Sequence, residues 1–412
     1  MSRWWDLLST LIVLYGAWVL YHAPATTELN NARAGADVVG VELVHPALYL
    51  VIAPLSNVLD AFSLLSVPQL IALTVALIAY YSFWRWRRAR RRGTTRWSEF
   101  CAASRVFVVY LLLVAMSAVL PRPMAALRAT DPDAVIFDIH SHTNYSHDAS
   151  HTFTVQANRE WHRDAGFDVA YITDHRCFDG AAEGLRGNPK RAGDGTVLLS
   201  GVELQGDEQH QVVLEPPDAA VPKGFLETWC VRAGEGRVPA RPPVRVQTIP
   251  EELAKTRIAS PATPDGVTAI EISDGAPRGL AQGDRDDKQI WDIASVNHLT
   301  VVAGSNNHGW GRTAVAWNVT RVPGWRSMTP DSLARVLEDR LRSRQVNAVQ
   351  VIERRRFESH ANPFLATAAY AFMPVIFAFI VLPFTLAELL SWFAWLLATV
   401  LIVRLVRRRR AA

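Results

Sequence analysis

Asp138, His140, His142 and Asp148 fall within one short run, FDIHSHTNYSHDAS, at residues 137–150. The apolar lead AVIF reads as a strand. In an extended strand, residues i and i+2 face the same way, so both imidazoles can reach one metal ion. Polar groups of the same kind recur downstream, each at or just past the end of an apolar stretch. Asp174 and His175 follow DVAYIT, Glu203 sits in LLSGVEL, His210 in QHQVVL, and Asn306 and His308 in VVAGSNNH. Imidazoles mixed with carboxylates suit borderline divalent ions, and such an ion lowers the pKa of its water to about 7. A β/α barrel gathers its active groups at the strand ends, on one mouth.

The elements that must position these groups alternate in kind. Short apolar runs (AVIFDI, DVAYIT, TVLLSGVEL, QVVLE, VTAIEI, LTVVAGS) alternate with helical patterns such as VQANREWHRDAG and IPEELAKT, which predicts an α/β domain with a largely parallel sheet. PDSLARVLEDRLRSR reads as a late amphipathic helix, and residues 215–247, rich in Pro, Gly and Arg, read as a loop insertion. The chain divides into an N-terminal membrane region (1–125), a soluble domain (131–358) and a C-terminal membrane region with a basic tail (361–412).

Trp5–Tyr21, Pro68–Trp84, Val106–Leu120 and two stretches between Pro363 and Val403 are apolar enough to enter a bilayer, where a span takes about 20 residues. The first of them lacks a small-residue cleavage site and reads as an uncleaved anchor. Val44–Ser63, broken by Pro46, Pro54 and Asp60, is not a clean span. The net charge of +4 and pI near 9.1 trace largely to RWRRARRR (Arg85–Arg92) and RLVRRRR (Arg404–Arg410), each directly after an apolar segment. Clusters so placed mark the cytoplasmic side of a membrane, not a nucleic-acid surface. With both on that side, an even number of crossings separates them. Val106–Leu120 then spans, and the soluble domain faces away from the cytoplasm. A cytoplasmic domain is the alternative, with Val106–Leu120 lying on the surface. Three cysteines (Cys101, Cys177, Cys230) form no CxxC site; Cys177 and Cys230 either pair outside the cytoplasm or stay as buried thiols.

The ordered set Asp138-x-His140-x-His142, ITDH ending at His175, GVE ending at Glu203 and GSNNH ending at His308 resembles the polymerase-and-histidinol-phosphatase (PHP) family of metal-dependent hydrolases. The resemblance covers roughly residues 134–350. It implies a distorted (β/α)7 barrel, here flanked by membrane helices, that carries two or three ions of zinc, manganese or iron, whose bound hydroxide attacks phosphorus. Carried over by residue, one site uses His140, His142 and Glu203. A second uses Asp148 (or His147), His175 and His308, with Glu203 bridging and His210 serving a third. Two departures reduce the expectation to two ions. Asn306 stands where the family commonly has an Asp ligand, and Ser260-Pro261 where it often has His-Pro. Asn306→Asp is therefore expected to restore an anionic oxygen beside His140 and His142.

Asp138 and Asp174 read as carboxylates that orient imidazoles. Arg176 and Arg312 read as clamps for phosphate oxygens. His151 and His162 lack ligand spacing and read as surface or satisfied core residues, while Glu271 is either a group at the mouth or an ordinary strand-end carboxylate. The implied function is membrane-anchored phosphoester hydrolysis, monoesters before diesters, on a small-molecule or lipid-linked substrate, with membrane lipids as partners and no nucleic acid. Hydrolysis of a carboxylic ester or carbamate, or a non-catalytic metal- or ligand-binding sensor, are the alternatives.

Overall fold

A computed structural model describes residues 28–33, 35–92, 96–205, 210–214, 242–248, 266–311, 313–357, 371–381 and 385–411. The strands are β1 (Leu29–Asn31), β2 (Val41–Val44), β3 (Ala126–Ala129), β4 (Ala134–Ser141), β5 (Val169–Ile172), β6 (Val197–Ser200), β7 (Val202–Gln205), β8 (His210–Leu214), β9 (Val244–Gln247), β10 (Ala269–Asp274), β11 (Thr300–Gly304), β12 (Ala316–Arg321) and β13 (Gln350–Arg354). They form a six-stranded sheet ordered β1-β13-β12-β4-β5-β6, a five-stranded sheet ordered β11-β10-β9-β8-β7, and the pair β2-β3.

β4, β5 and β6 run parallel, as do β9, β10 and β11. β7, β8 and β9 are antiparallel to one another in turn, and β12 is antiparallel to both of its neighbours. The mixed α/β class read from the sequence holds, but the closed (β/α)7 barrel does not appear among the described residues. Neither large sheet closes. Among the described residues their edges are joined by two isolated bridges, Ser141 to Asn307 and His175 to Glu203. The antiparallel run β7-β8-β9 stands where helical crossovers would have turned the chain. Val244–Gln247, read from the sequence as part of a loop insertion, is the strand that joins β8 to β10.

Apolar residues of both sheets fill the space between them. Val135, Phe137 and Ile139 of β4 pack with Val169, Val212, Val246 and Val302, and the Pro330–Arg342 helix covers one end of this core with Leu333, Leu337 and Leu341. That helix begins as its sequence indicates, since Thr329 Oγ1 accepts from Ser332 N and Pro330 opens the first turn. The Val155–Ala165 helix likewise starts at Thr154, buries Asn158, Trp161, His162 and Ala165 on one face, and stops at Gly166, which has φ +87°. IPEELAKT lies outside the described residues.

Three helices among the described residues are long and apolar enough to cross a membrane: Val67–Arg91, Phe100–Val119 and Leu386–Arg408. The first two are the apolar parts of the helices Val67–Arg92 and Arg96–Val119, which pack against each other through Leu73 and Tyr110, with Tyr110 Oη 2.9 Å from Thr74 Oγ1. Trp5–Tyr21 lies outside the described residues. Val44–Ser63 folds instead into the helices Ala47–Val51 and Ala53–Ser63. Within the region 1–125, β1 pairs with β13 of the soluble domain, and β2 pairs with β3.

Candidate metal centre

β4 delivers His140 at its end and His142 just past it, where its register with β5 shifts between Asp138 and Ser141. The two rings turn toward each other, with His140 Nε2 3.1 Å from His142 Nε2. Glu203 of β7 closes on both, its Oε2 lying 3.1 Å from His140 Nε2 and 3.2 Å from His142 Nε2. His175, beyond β5, places Nδ1 3.3 Å from the same oxygen, and His210, opening β8, places Nδ1 2.6 Å from Glu203 Oε1. Asp148 Oδ2 lies 3.4 Å from His175 Nε2 and 3.3 Å from His308 Nε2. The His142 and His308 rings stack with centroids 3.9 Å apart.

Seven of the residues singled out in the sequence thus converge: His140, His142, Asp148, His175, Glu203, His210 and His308. The ligand atoms of all but Asp148 form three overlapping groups (His140, His142, Glu203; His142, His175, His308; His175, Glu203, His210), each within 4.8 Å. Two buried ring nitrogens at 3.1 Å share at most one proton between them. A carboxylate oxygen against both adds a third lone-pair donor aimed at the same region. This donor set fits divalent ions.

Burial opposes charge on His140, but the Glu271 and Glu203 carboxylates beside it outweigh burial and hold its pKa well above the ordinary imidazole value. His142 shifts the other way, since burial and then the His308 ring hold it well below that value. Burial would raise Glu203, yet His140, His142 and His210 hold its pKa well down, so its carboxylate stays ionised among the imidazoles.

A surrounding set of polar groups fixes these rings. Glu271 Oε1 is 2.9 Å from His140 Nδ1, and burial pushes the Glu271 carboxyl up to about 7. Ser146 Oγ is 3.0 Å from His142 Nδ1 and accepts from His175 N at 3.0 Å. Asp174 does not reach the cluster. It accepts from Thr143 N at 2.6 Å, Thr143 Oγ1 at 2.7 Å and Ser146 Oγ at 3.2 Å, so it acts on His142 through Ser146. Asp138 bonds His162 Nε2 at 2.9 Å and accepts from Ser305 N at 3.0 Å, which makes His162 a satisfied core residue.

Asn306 stays at the margin. It has φ +43°, takes its backbone N–H to His140 O at 2.8 Å, and donates Nδ2 to Asp274 Oδ2 at 3.0 Å, while its Oδ1 is buried without a hydrogen-bond partner among the described residues. Arg176, at φ +52°, is half-buried and its backbone N–H donates to Glu203 O at 2.9 Å. Arg312, Ser260 and Cys230 lie outside the described residues. His147 is exposed, its ring centroid 5.2 Å from that of His175. Sequence reasoning left Glu271 open and passed over Ser146 and Asp274. Glu271 and Asp274 carried the strand-end signal that marked Glu203. Ser146 had no signal beyond its place in the His142–Asp148 loop.

No protein-family model matches the chain, and no curated protein matches it. Several solved structures overlap part of it. PsfC from Pseudomonas syringae shares 15% identity at a TM-score of 0.35, over 60% of this chain and 98% of that one. A two-domain protein from Bacteroides vulgatus containing a predicted PHP-like metal-dependent phosphoesterase shares 13% at 0.31, over 52% and 63%. The lesion-specific endonuclease PfuEndoQ from Pyrococcus furiosus shares 15% at 0.33, over 50% and 56%. Overlaps this loose define no activity.

Proposed function

We propose that the chain is a membrane-anchored, metal-dependent phosphoesterase that prefers phosphate monoesters to diesters. One observation carries the reading. His140, His142 and His175 bring ring nitrogens to within 3.3 Å of a single buried carboxylate oxygen of Glu203. His140, His142 and Glu203 would hold one divalent ion, and Asp148, His175 and His308 a second, with His210 beside Glu203. Bound ions of this kind supply Lewis acidity and activate water.

The chain's own residues prepare that chemistry. Glu271 and Ser146 fix the tautomers of His140 and His142, leaving both Nε2 atoms to face Glu203. Asp174 locks Ser146 and Thr143 in place. Arg176, which follows His175 directly, and Arg312 would be the cations that meet phosphate oxygens.

The test uses the purified full-length protein, with metal content measured by elemental analysis beside a panel of phosphate monoesters, phosphodiesters and carboxylic esters. Wild type is expected to hold zinc, manganese or iron and to release phosphate from monoesters fastest. His175→Ala is expected to lose both bound metal and turnover. Equal activity of wild type and His175→Ala across a metal titration would refute the reading, and metal retention without any turnover would favour a sensor.

A further inference from the structure

A cavity of about 340 Å³ opens beside the metal centre and runs toward the membrane helices. At one end it is lined by Asp148, Asn306 and His308. The other end is lined by Leu65, just before the Val67–Arg92 helix, by Leu70 within it, and by Val114 and Ala118 of the Arg96–Val119 helix. Its size is within the roughly 300–1,000 Å³ typical of ligand cavities. Polar metal-centre groups at one end and aliphatic groups at the other describe an amphiphile. The aliphatic wall belongs to helices built to stand in lipid, so the chain that fills it comes from the bilayer.

We infer that the substrate is a lipid phosphate monoester. Its hydrocarbon chain lies between Leu70, Val114 and Ala118, and its phosphate is presented at Asp148 and His308. This rests on the phosphoesterase reading above. In the reaction a water oxygen forms a new P–O bond, the P–O bond to the lipid breaks, and the leaving lipid oxygen takes up a proton that water gives up. The products are a lipid alcohol, which stays in the membrane, and inorganic phosphate. Asn307 and Trp310 also border the cavity, on the same loop as His308.

The experiment uses full-length protein in detergent with ethyl, hexyl and dodecyl phosphate as substrates. Each methylene transferred from water contributes about fourfold in affinity until the wall is filled, so kcat/KM should climb steeply from ethyl to dodecyl phosphate. Ala118→Phe fills the chain-binding end and should cut the dodecyl-to-ethyl ratio of kcat/KM by about tenfold or more. Ala118→Leu should give a smaller effect of the same sign. Equal kcat/KM for the three substrates, or equal slowing of ethyl and dodecyl phosphate by both variants, would overturn the inference. Binding of dodecylphosphonate and ethylphosphonate, which are not hydrolysed, gives a readout independent of turnover. Tight dodecylphosphonate binding that Ala118→Phe weakens, with no phosphate released from any substrate, would keep the chain-binding cavity and reject the phosphoesterase reading. Equal binding of the two phosphonates would reject the cavity.

Discussion

Glu203 Oε2 faces ring nitrogens from His140, His142 and His175 while Oε1 faces His210, so one side chain gathers donors from four points in the chain. The Asn306 amide nitrogen is committed to Asp274. From sequence, Asn306→Asp restores an anionic oxygen beside His140 and His142, yet the structure adds a cost, because the Asn306 amide donates to Asp274 Oδ2 at 3.0 Å. Aspartate there replaces a donor with a second carboxylate, and burial already holds the Asp274 carboxyl above its usual range. Asn306→Asp is expected to lower stability by about 1–3 kcal/mol, the cost of stranding a buried acceptor. The loss should grow as pH rises, because two adjoining carboxyls need one proton between them and surrender it at high pH. Adding Asp274→Asn should recover most of it. Thermal unfolding of the two single variants and the double variant measures this, and a neutral Asn306→Asp at alkaline pH would show that the bond contributes nothing.

The strands that hold the centre were legible in the sequence because most are short apolar runs with a polar residue at the end. β4, β5, β10 and β11 follow that rule, while Glu203 sits inside β7 and His210 opens β8, each beside an apolar run. Three other elements had no such signal. β9 hides in a Pro- and Arg-rich stretch, and its burial comes from pairing with β8 and β10, not from its own composition. β1 is three residues long and is defined only by β13. Sheet closure also depends on contacts far apart in sequence, and a list of strands does not record them. The Ala53–Ser63 helix is a similar case, since its Asp60 looked like a break in an apolar segment. Asp60 in fact accepts from Arg122 at 2.6 Å, Arg354 at 2.8 Å, Thr313 at 2.9 Å and Tyr49 at 3.0 Å, all in a buried cluster that ties this helix to β13 and to the segment before β3. Removing one member of a buried ion cluster costs about 3–5 kcal/mol because its partners stay buried and unpaired. Asp60→Ala should therefore unfold at a much lower temperature. Arg128→Ala is the control. It breaks the exposed Arg128–Glu42 pair on β3 and β2, and such pairs contribute about 0–1 kcal/mol. Similar melting of the two variants would show that Asp60 does not anchor the helix.

At the scale of the whole molecule, the three membrane-length helices share one polarity. The first touches the soluble domain, and the other two touch the helices Ala53–Ser63 and Ala47–Val51. Gln69, in the first turn of the Val67–Arg92 helix, donates to Phe357 O at 2.8 Å. Ser63 Oγ donates at 3.2 Å to Ser117 O near the end of Arg96–Val119, and Trp395 of the Leu386–Ala411 helix donates at 2.8 Å to Val51 O. The basic runs, Arg85–Arg92 and Arg404–Arg410, lie toward the opposite ends. Arginine clusters beside apolar spans stay on the cytoplasmic side, so this polarity favours a domain facing away from the cytoplasm. Cys177 is disulfide-bonded while Cys101, within a membrane-length helix, is a free thiol, and disulfides persist in oxidising compartments. The prediction is made on intact cells in a Cys101→Ser background, with a membrane-impermeant maleimide. Gln156→Cys, on an exposed position of the domain, should be labelled before lysis, whereas Arg90→Cys in the first basic run should be labelled only after it. Reversed labelling would place the domain in the cytoplasm, and the metal centre would then draw its substrates and its metal from that side.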